Sequence, residues 1–279
     1  GWQPIEERIM ATPIRAHVVV GGFPPGSHGG HDMDYARLRL LQALQSDPRV
    51  NATVSSDFSD CHKWIRDCQL LLTYVAGPYA NDHETGLIRD WLAEGGRWLA
   101  LHGSSGGKAV RLDASSDAAP DVPTPGLGFR RLVKTSYHDA LGGRFISHPP
   151  IQEFQVDVVD GNHVLTHNLP ASFQITDEPY MVQVLHPETR VLLATSAVPP
   201  PPAEVQDRYG GDLSLLPDGR SRALGFVREI GKGGVAYIAP GHCSPPPPGK
   251  DQRFRGPWDT AEYQQLLENA IAWGTGVEG

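Results

Sequence analysis

The stretch Arg97-Trp-Leu-Ala-Leu-His-Gly-Ser-Ser-Gly106 contains the pattern that decides the fold of this chain. An apolar run ends abruptly at His102, and small residues follow at once. Two earlier stretches are similar, since His17-Val-Val-Val20 runs into Gly21-Gly22 and the residues from Gln69 to Val75 are largely apolar. Short apolar runs bounded by turn residues are typical of strands that are buried on both faces.

Two helical patterns lie between these strands. The first repeats apolar side chains at three-residue steps, at Tyr35, Leu38, Leu41 and Leu44. The second places them on one face, at Leu87, Ile88, Trp91 and Leu92. The first begins at Asp32 or Asp34 and the second at Asn81 or Asp82, all of which are good helix caps. Buried strands alternating with amphipathic helices predict a doubly wound α/β fold, with a mainly parallel sheet and helices on both faces.

The ends of these strands are where a binding site is expected. Open α/β sheets bind their ligands beyond the carboxyl ends of the strands. The segments from Gly21 to Asp32 and from His102 to Gly107 lie at such ends. We therefore expect His102 to be a functional group at that edge, the alternative being a capped turn that happens to contain an imidazole.

Beyond residue 112 the pattern changes to shorter, alternating strands. Glu153 to Val159 and Arg190 to Ala194 are predicted strands. Ala223 to Glu229 and Gly234 to Ala239 predict a hairpin, with a connection longer than two residues. A final helix follows Asp259 or Thr260. These patterns predict a β-rich C-terminal elaboration of the α/β core.

The composition argues against several classes of protein. The chain carries 24 Lys and Arg against 32 Asp and Glu, a net charge of −8, so a nucleic-acid partner is not expected. No segment has the apolar length of a signal peptide or membrane span, so we expect a cytoplasmic protein with no membrane partner. No GxGxxG follows a predicted strand and no GxxxxGK[ST] occurs, so no nucleotide cofactor is predicted. The three cysteines form no CxxC pair and are predicted to be ordinary thiols.

Five predicted loops carry side chains that can bind a metal or transfer protons. They contain His28, His31, Asp32, His102, His148, Asp177, Glu178 and His242. Imidazole nitrogens and carboxylate oxygens suit divalent ions such as Zn²⁺ and Mn²⁺. The predicted metal ligands are His31, His102, His148, Glu178 and His242. No compact spacing such as HExxH supports the site, which therefore depends on the loops meeting in space.

The same groups suit general acid and base chemistry. The predicted catalytic set is His102, His31, Glu178, Asp32 and Asp177. Within it, the two aspartates are expected to orient histidines rather than to react. The predicted substrate contacts are Tyr180, His28 and Ser104. A serine hydrolase would carry its nucleophile at the strand-end elbow, where this chain has a histidine, so Ser104 or Ser105 is an alternative nucleophile.

Six short motifs, taken in order, resemble the ThuA-like family, which is named for trehalose utilisation. They are His31-Asp32 after a glycine-rich turn, Leu101-His102 at a strand end, the segment Leu141 to His148, the segment Asp177 to Tyr180, the segment Gly231 to His242, and Asn269 to Trp273. The resemblance extends from about His17 to Trp273, nearly the whole chain. Each motif is weak alone, and their joint order makes the resemblance specific.

The resemblance implies a flavodoxin-like fold related to class I glutamine amidotransferases. In those relatives the strand-end turn carries a catalytic cysteine, and His102 occupies that place here. Because imidazole cannot replace the thiolate that forms an acyl-enzyme, glutaminase chemistry is not the favoured expectation. The predicted organisation is a single domain over 1–279. It comprises a core half at 14–112, loop excursions at 113–135 and 198–216, and a C-terminal helix at 259–274.

The resemblance further implies a carbohydrate-pathway enzyme. Its substrate would be a sugar or 3-keto-sugar derivative, and its reaction that of an isomerase, lyase or hydrolase, with a divalent metal as the candidate cofactor. The alternatives are a non-catalytic sugar-binding or regulatory module and, less favoured, a glutaminase-type or serine hydrolase. The expected partner is a small-molecule carbohydrate, and a homo-oligomer is compatible with the sequence. Because the two excursions depart from the plainer family pattern, a trehalose-type substrate is not assumed.

Overall fold

A computed structural model describes residues 13–22, 30–107, 109–111 and 130–276 of the chain. Within these ranges the strands are β1 (Ile14–Gly22), β2 (Val50–Ser55), β3 (Leu70–Ala76), β4 (Arg97–Leu101), β5 (Ala109–Arg111), β6 (Arg130–Leu132), β7 (Gly143–Ser147), β8 (Gln152–Val158), β9 (Ser172–Asp177), β10 (Met181–Val184), β11 (Arg190–Thr195), β12 (Arg222–Ile230) and β13 (Gly233–Ile238). The helices are α1 (Met33–Leu44), α2 (Cys61–Trp64), α3 (Asp82–Glu94), α4 (Ser136–Leu141), α5 (Ala203–Tyr209) and α6 (Ala261–Thr275).

Nine strands form one central sheet in the order β2-β1-β3-β4-β13-β12-β11-β8-β9. The first five of these strands are parallel to one another. From β13 onward each neighbouring pair is antiparallel. The predicted α/β fold class is confirmed, and the β-rich second half extends the same sheet.

Burial explains why the parallel strands occupy the centre. Every residue of β13 is buried, as are all residues of β3 except the last. Such strands need cover on both faces, which the helices provide. Helix α1 packs beside α6, while α3 packs beside α2 and α4. No helix in the described part of the chain is long and apolar enough to cross a membrane.

The structure has helix caps at predicted positions, but the predicted apolar face of α1 differs from the buried one. Asp32 caps α1 by accepting from the backbone N–H of Tyr35, and Asn81 forms a capping box with Glu84 at the start of α3. The predicted apolar face of α1 is wrong at Leu38, which is 54% exposed. The buried residues of α1 are Met33, Ala36, Leu40 and Leu44. Because an α-helix has 3.6 residues per turn, positions repeated every three residues rotate away from the buried face sooner than positions repeated every four residues.

Two features of the second half differ from expectation. The hairpin connection is only Gly231-Lys232, because β12 continues to Ile230 and β13 begins at Gly233. Gly231 has φ +60°, a left-handed conformation that glycine adopts at little cost. The excursion predicted at 198–216 contains helix α5 and a buried ion pair between Asp212 and Arg222 at 2.7 Å. Most of the excursion predicted at 113–135 lies outside the described residues.

Candidate metal centre

Loops that follow β4, β13 and the edge strand β9 converge, together with the segment before α1, near the carboxyl ends of β4 and β13. His102 comes directly after β4, and His242 lies four residues beyond β13, the parallel neighbour of β4. His31 stands just before α1, and Glu178 follows β9. The fold therefore brings together side chains that are more than 200 residues apart in sequence, as the metal hypothesis requires.

Four side chains meet closely enough to hold one ion. His31, His102, Glu178 and His242 each offer a ligand atom, and these atoms all lie within 4.8 Å of one another. Glu178 Oε2 lies 3.2 Å from His242 Nδ1 and 3.6 Å from His102 Nε2. Two ligand atoms bound tetrahedrally to Zn²⁺ at its usual bond lengths are about 3.4 Å apart. The spacing of the three side chains therefore fits a small divalent cation.

Hydrogen bonding leaves two of these nitrogens unsatisfied. His102 Nδ1 lies 2.8 Å from the carbonyl oxygen of Ala239, which can only accept, so Nδ1–H donates and Nε2 carries a lone pair. His102 Nε2 and His242 Nδ1 are buried and have no hydrogen-bond partner within the described ranges. Burial lowers the pKa of both rings to about 3, so both are neutral at pH 7. At His102 the lone pair on Nε2 therefore faces the Glu178 carboxylate, which is unfavourable unless a cation lies between them.

The backbone at His102 is strained, and several contacts hold the residue in this conformation. His102 has φ +45°, a conformation that costs a non-glycine residue roughly 1–2 kcal/mol. A side chain at Gly103 would come within 2.7 Å of the Val75 carbonyl oxygen, so the turn also needs glycine there. The Tyr237 hydroxyl donates to the His102 carbonyl at 2.9 Å, and the Tyr180 ring stacks on the imidazole at 4.1 Å. These contacts hold the ring in one orientation.

Asp177 positions two of the cluster residues through their backbone. Its fully buried carboxylate accepts from the N–H groups of Gly241 at 2.7 Å, Glu178 at 2.7 Å and His242 at 3.1 Å. Burial raises the pKa of this carboxyl, although the three donors oppose that shift. The expectation that Asp177 orients a histidine ring is corrected, because its oxygens are occupied by backbone donors.

Asp32 is also not oriented toward a ring. Its Oδ2 accepts from Arg253 at 2.9 Å and from Arg255 at 2.8 Å, while Oδ1 caps α1. Burial acts to raise the pKa of Asp32, but the hydrogen bonds from Arg255, Tyr35 and Arg253 outweigh it and the pKa is lowered. The predicted role of Asp32 as a histidine-orienting group is therefore replaced by an ion pair beside His31.

His148 lies next to the cluster but outside it. Its Nδ1 is 4.0 Å from Glu178 Oε1 and donates to the carbonyl oxygen of Pro149 at 2.9 Å. The ring lies nearly parallel to that of Tyr180, 5.6 Å away, and 29% of the side chain is exposed. The predicted five-ligand set is thus reduced to four, with His148 beside the cluster.

The predicted serine contacts are not supported. Ser104 is fully buried, and its hydroxyl donates to the carbonyl oxygen of Thr73 at 2.9 Å, so the structure corrects its assignment to substrate binding. Ser105 pairs with the Tyr237 hydroxyl at 2.8 Å. The Ser105 hydroxyl also donates to the backbone carbonyl of His102 at 3.4 Å, and within the described ranges neither hydroxyl bonds an imidazole ring or a carboxylate. His28 lies outside the described residues.

The cysteines are equally unsuited to nucleophilic catalysis. Burial raises the pKa of Cys61 and Cys68 to about 12 and that of Cys243 to about 11. All three are therefore thiols at neutral pH, whereas a nucleophilic cysteine needs a thiolate. The geometry gives no support to a glutaminase-type reaction.

Sequence reasoning missed Tyr74 as part of the site. Its ring lies 5.8 Å from that of His31 and 5.9 Å from that of His102, and its hydroxyl donates to the Gly241 carbonyl at 2.9 Å. Tyr74 is the third-last residue of β3. A residue with a polar tip near the carboxyl end of an otherwise apolar strand is a signal that could have identified it.

Comparison with known proteins identifies similar sequences and folds. The family model described as "ThuA: Trehalose utilisation" matches residues 127–274, just over half of the chain. Among curated proteins, none matches this sequence. A ThuA-like protein from Bacteroides uniformis is 17% identical with a TM-score of 0.60, covering 100% of this chain and 97% of that one. A ThuA-like protein from Parabacteroides merdae is 16% identical with a TM-score of 0.58, covering 96% and 93%.

A β-galactosidase from Rahnella sp. R3 contains a similar fold within a larger chain. It is 13% identical with a TM-score of 0.52, and the match covers 96% of this chain but 32% of that one. At such low identities, the similarity to all three structures shows the fold alone.

Proposed function

This chain belongs to the ThuA family, and from that premise we propose that it is a metal-dependent enzyme of carbohydrate utilisation. The proposed ligands of a divalent ion, Zn²⁺ or Mn²⁺, are His31, His102, Glu178 and His242. The proposed substrate is a small sugar or 3-keto-sugar derivative. The family's connection with trehalose utilisation supports a carbohydrate substrate, and the side chains at the sheet edge support the metal.

One observation carries the metal assignment. Two buried imidazole nitrogens, on His102 and His242, face the Glu178 carboxylate without forming hydrogen bonds to any described residue. Leaving a buried polar atom unsatisfied costs about 1–3 kcal/mol, and His102 adds backbone strain. A bound cation would satisfy all three side chains at once. The assignment is independent of the low-identity structural matches.

The chain's own groups fit proton transfer beside a carbonyl. A bound divalent ion would polarise a keto group and acidify the adjacent C–H. Burial raises the pKa of the Tyr180 hydroxyl well above its ordinary value, so Tyr180 is a neutral donor for a sugar oxygen. Because Nδ1–H of His148 donates to Pro149, its Nε2 can accept a proton or a hydrogen bond. Isomerisation and elimination both need such a proton acceptor.

The competing function is a sugar-binding module that does not turn over its ligand. A fold by itself does not distinguish the two. The strained His102 and the unsatisfied nitrogens favour the enzyme, since a site that only hydrogen-bonds sugar hydroxyls has no need of either feature.

The test is a metal analysis coupled to an activity assay. Purified protein should contain about one divalent ion per chain, convert a 3-keto-disaccharide, lose activity with a chelator and regain it with Zn²⁺ or Mn²⁺. Trehalose and its 3-keto form are the first substrates to compare. Metal-free protein whose turnover ignores the chelator would refute the metal assignment. Thermal stabilisation by the sugar without product would instead support the binding module.

A further inference from the structure

A cavity of about 470 Å³ lies at the opposite edge of the sheet from the metal centre. It is lined where β4 and β13 begin, by Arg97 and by Gly233 and Gly234. His102 and His242 follow the other ends of these same strands. A strand as long as β4 spans about 16 Å, so the cavity and the metal centre are separate sites.

The cavity is positively charged in a protein that is negative overall. Four permanent cations line it, namely Arg97, Arg190, Arg228 and Lys232. Two carboxylates, Glu188 and Glu229, oppose them. The lining therefore has an excess of two positive charges, whereas the chain as a whole carries −8. Such local concentration of one sign attracts oppositely charged ligands.

Part of this positive charge is already neutralised. Arg190 forms an ion pair with Asp160. Arg228 Nη1 donates to the carbonyl oxygen of Asp139 at 2.8 Å, and its Nε lies 3.5 Å from a carboxylate oxygen of Glu188. These two arginines therefore line the cavity, but much of their hydrogen-bonding capacity is already used within the protein.

The remaining cations have donors to spare. The Arg97 guanidinium lies over the Trp273 ring at 4.9 Å, a contact that uses its face and leaves its N–H groups available. Lys232 is exposed, and its ammonium has no ion-pair or hydrogen-bond partner in the part of the chain that the structure describes. Arg97 and Lys232 thus provide a planar donor and a compact cation around one space, a combination suited to phosphate oxygens.

We infer that this cavity binds a phosphorylated small molecule such as a sugar phosphate. Arg97 and Lys232, the two cations with available donors, match the two negative charges of a phosphate dianion. A volume of about 470 Å³ is that of a small-molecule site rather than of a bare anion site. Apart from glycines, Val227 and Trp273 are the only apolar residues among those lining it, so the rest of the ligand should be polar.

The experiment is calorimetric titration of the purified full chain with glucose 6-phosphate, glucose and inorganic phosphate at one low ionic strength. Glucose 6-phosphate should bind saturably at one site per chain. Glucose should not bind this site, and inorganic phosphate should bind at least about tenfold more weakly than the sugar phosphate, a difference of about 1.4 kcal/mol. Equal binding of glucose, equal binding of inorganic phosphate, or no saturable binding of the sugar phosphate would overturn the inference.

Two variants locate the ligand. Arg97→Gln combined with Lys232→Met should weaken binding of glucose 6-phosphate about tenfold or more, since each change removes a charged donor. Lys63→Met, which removes an exposed lysine that does not line the cavity, is the matched control and should leave the affinity unchanged. Equal weakening by the control would indicate non-specific charge attraction. Loss of binding after chelator treatment would place the phosphate on the metal centre, and either result contradicts the cavity assignment.

Discussion

His102 in the candidate metal centre and His17 in strand β1 are both almost fully buried, yet their rings are held differently. His17 bonds Thr53 through Nδ1 at 2.7 Å and Ser55 through Nε2 at 3.0 Å. His102 bonds only Ala239, through Nδ1, and its Nε2 faces Glu178 without a hydrogen bond. The comparison shows that a buried imidazole does not by itself mark a functional site. What sets His102 apart is a ring nitrogen that faces a carboxylate without a hydrogen bond.

The acidity of the rings does not separate the two cases either. Burial lowers the pKa of His17 to about 4 and that of His102 to about 3. His138, which bonds Thr135 and Gly106 through its two nitrogens, also has a pKa of about 4 because of burial. A lowered pKa therefore reports desolvation at all three positions. Only the pattern of hydrogen bonds distinguishes the structural histidines from the one proposed to bind metal.

Replacing His102 should have the largest effect. His102→Ala should reduce turnover at least about 1,000-fold, because it removes a proposed metal ligand, while leaving the protein folded. The matched change, His17→Ala, should cost about 2 kcal/mol of unfolding free energy through its two lost hydrogen bonds and leave turnover unchanged. Steady-state kinetics and denaturant unfolding of both variants measure this difference. Equal losses of turnover at the two positions would abolish the distinction between them.

Replacing Asp177 should lower both stability and metal affinity. In Asp177→Asn the amide NH₂ must face a backbone N–H, because both carboxylate oxygens accept from such groups. The expected cost is about 2 kcal/mol of unfolding free energy. Metal affinity should fall roughly 10- to 100-fold as Glu178 and His242 shift, a loss typical of residues that position ligands.

Chemical unfolding and metal titration check the Asp177 prediction. Asp90→Asn, at an exposed position of α3, serves as the control for loss of one negative charge. If Asp177→Asn left metal affinity unchanged while lowering stability, Asp177 would have only a structural role.

The pH dependence of stability should report on the two structural histidines, His17 and His138. For His17 and His138 the folded pKa, about 4, lies below the ordinary value of 6.5, so the unfolded chain binds protons first as the pH falls. The stability that these neutral rings contribute is complete above about pH 6.5 and is lost as the pH falls toward about 4. Each ring should add a slope of about 1.4 kcal/mol per pH unit within that window.

Unfolding free energies between pH 7 and pH 4.5 test this slope. The variant His17→Gln cannot titrate at this position, so its curve should be shallower than that of the unchanged chain by the slope of one histidine. Parallel curves would mean that the acidity of His17 does not change on folding.

Much of the fold is predictable because its signals are local. Strands β3 and β4 are continuous apolar runs, and α3 has both a capping residue and one apolar face. Strand β2 is not predicted from the sequence, because it lacks an apolar run. It lies at the edge of the sheet, and only Val50 of its six residues is buried. An edge strand needs no apolar run, since one side of it has no neighbouring strand.

The candidate site is less predictable than the fold. The sequence indicates which loops carry imidazoles and carboxylates, and four of the five predicted ligands meet. It does not reveal that His148 stops 4.0 Å from Glu178, or that Asp32 binds arginines. The sequence also gives no sign that Ser104 turns inward to Thr73. These outcomes depend on which hydrogen-bond and ion-pair partners lie beside each side chain in the folded protein. Those partners come from segments that are far apart in sequence.

The sequence by itself determined the alternation of strands and helices, the placing of His102 at a strand end and the types of side chain available there. Those properties follow from periodicity and from residues adjacent in the chain. Only the tertiary structure decided that His31, His102, Glu178 and His242 form one cluster, and that the opposite ends of β4 and β13 border a cationic cavity. The physical reason is that ligand binding depends on distances of a few ångströms, which are set by the packing of elements far apart in sequence.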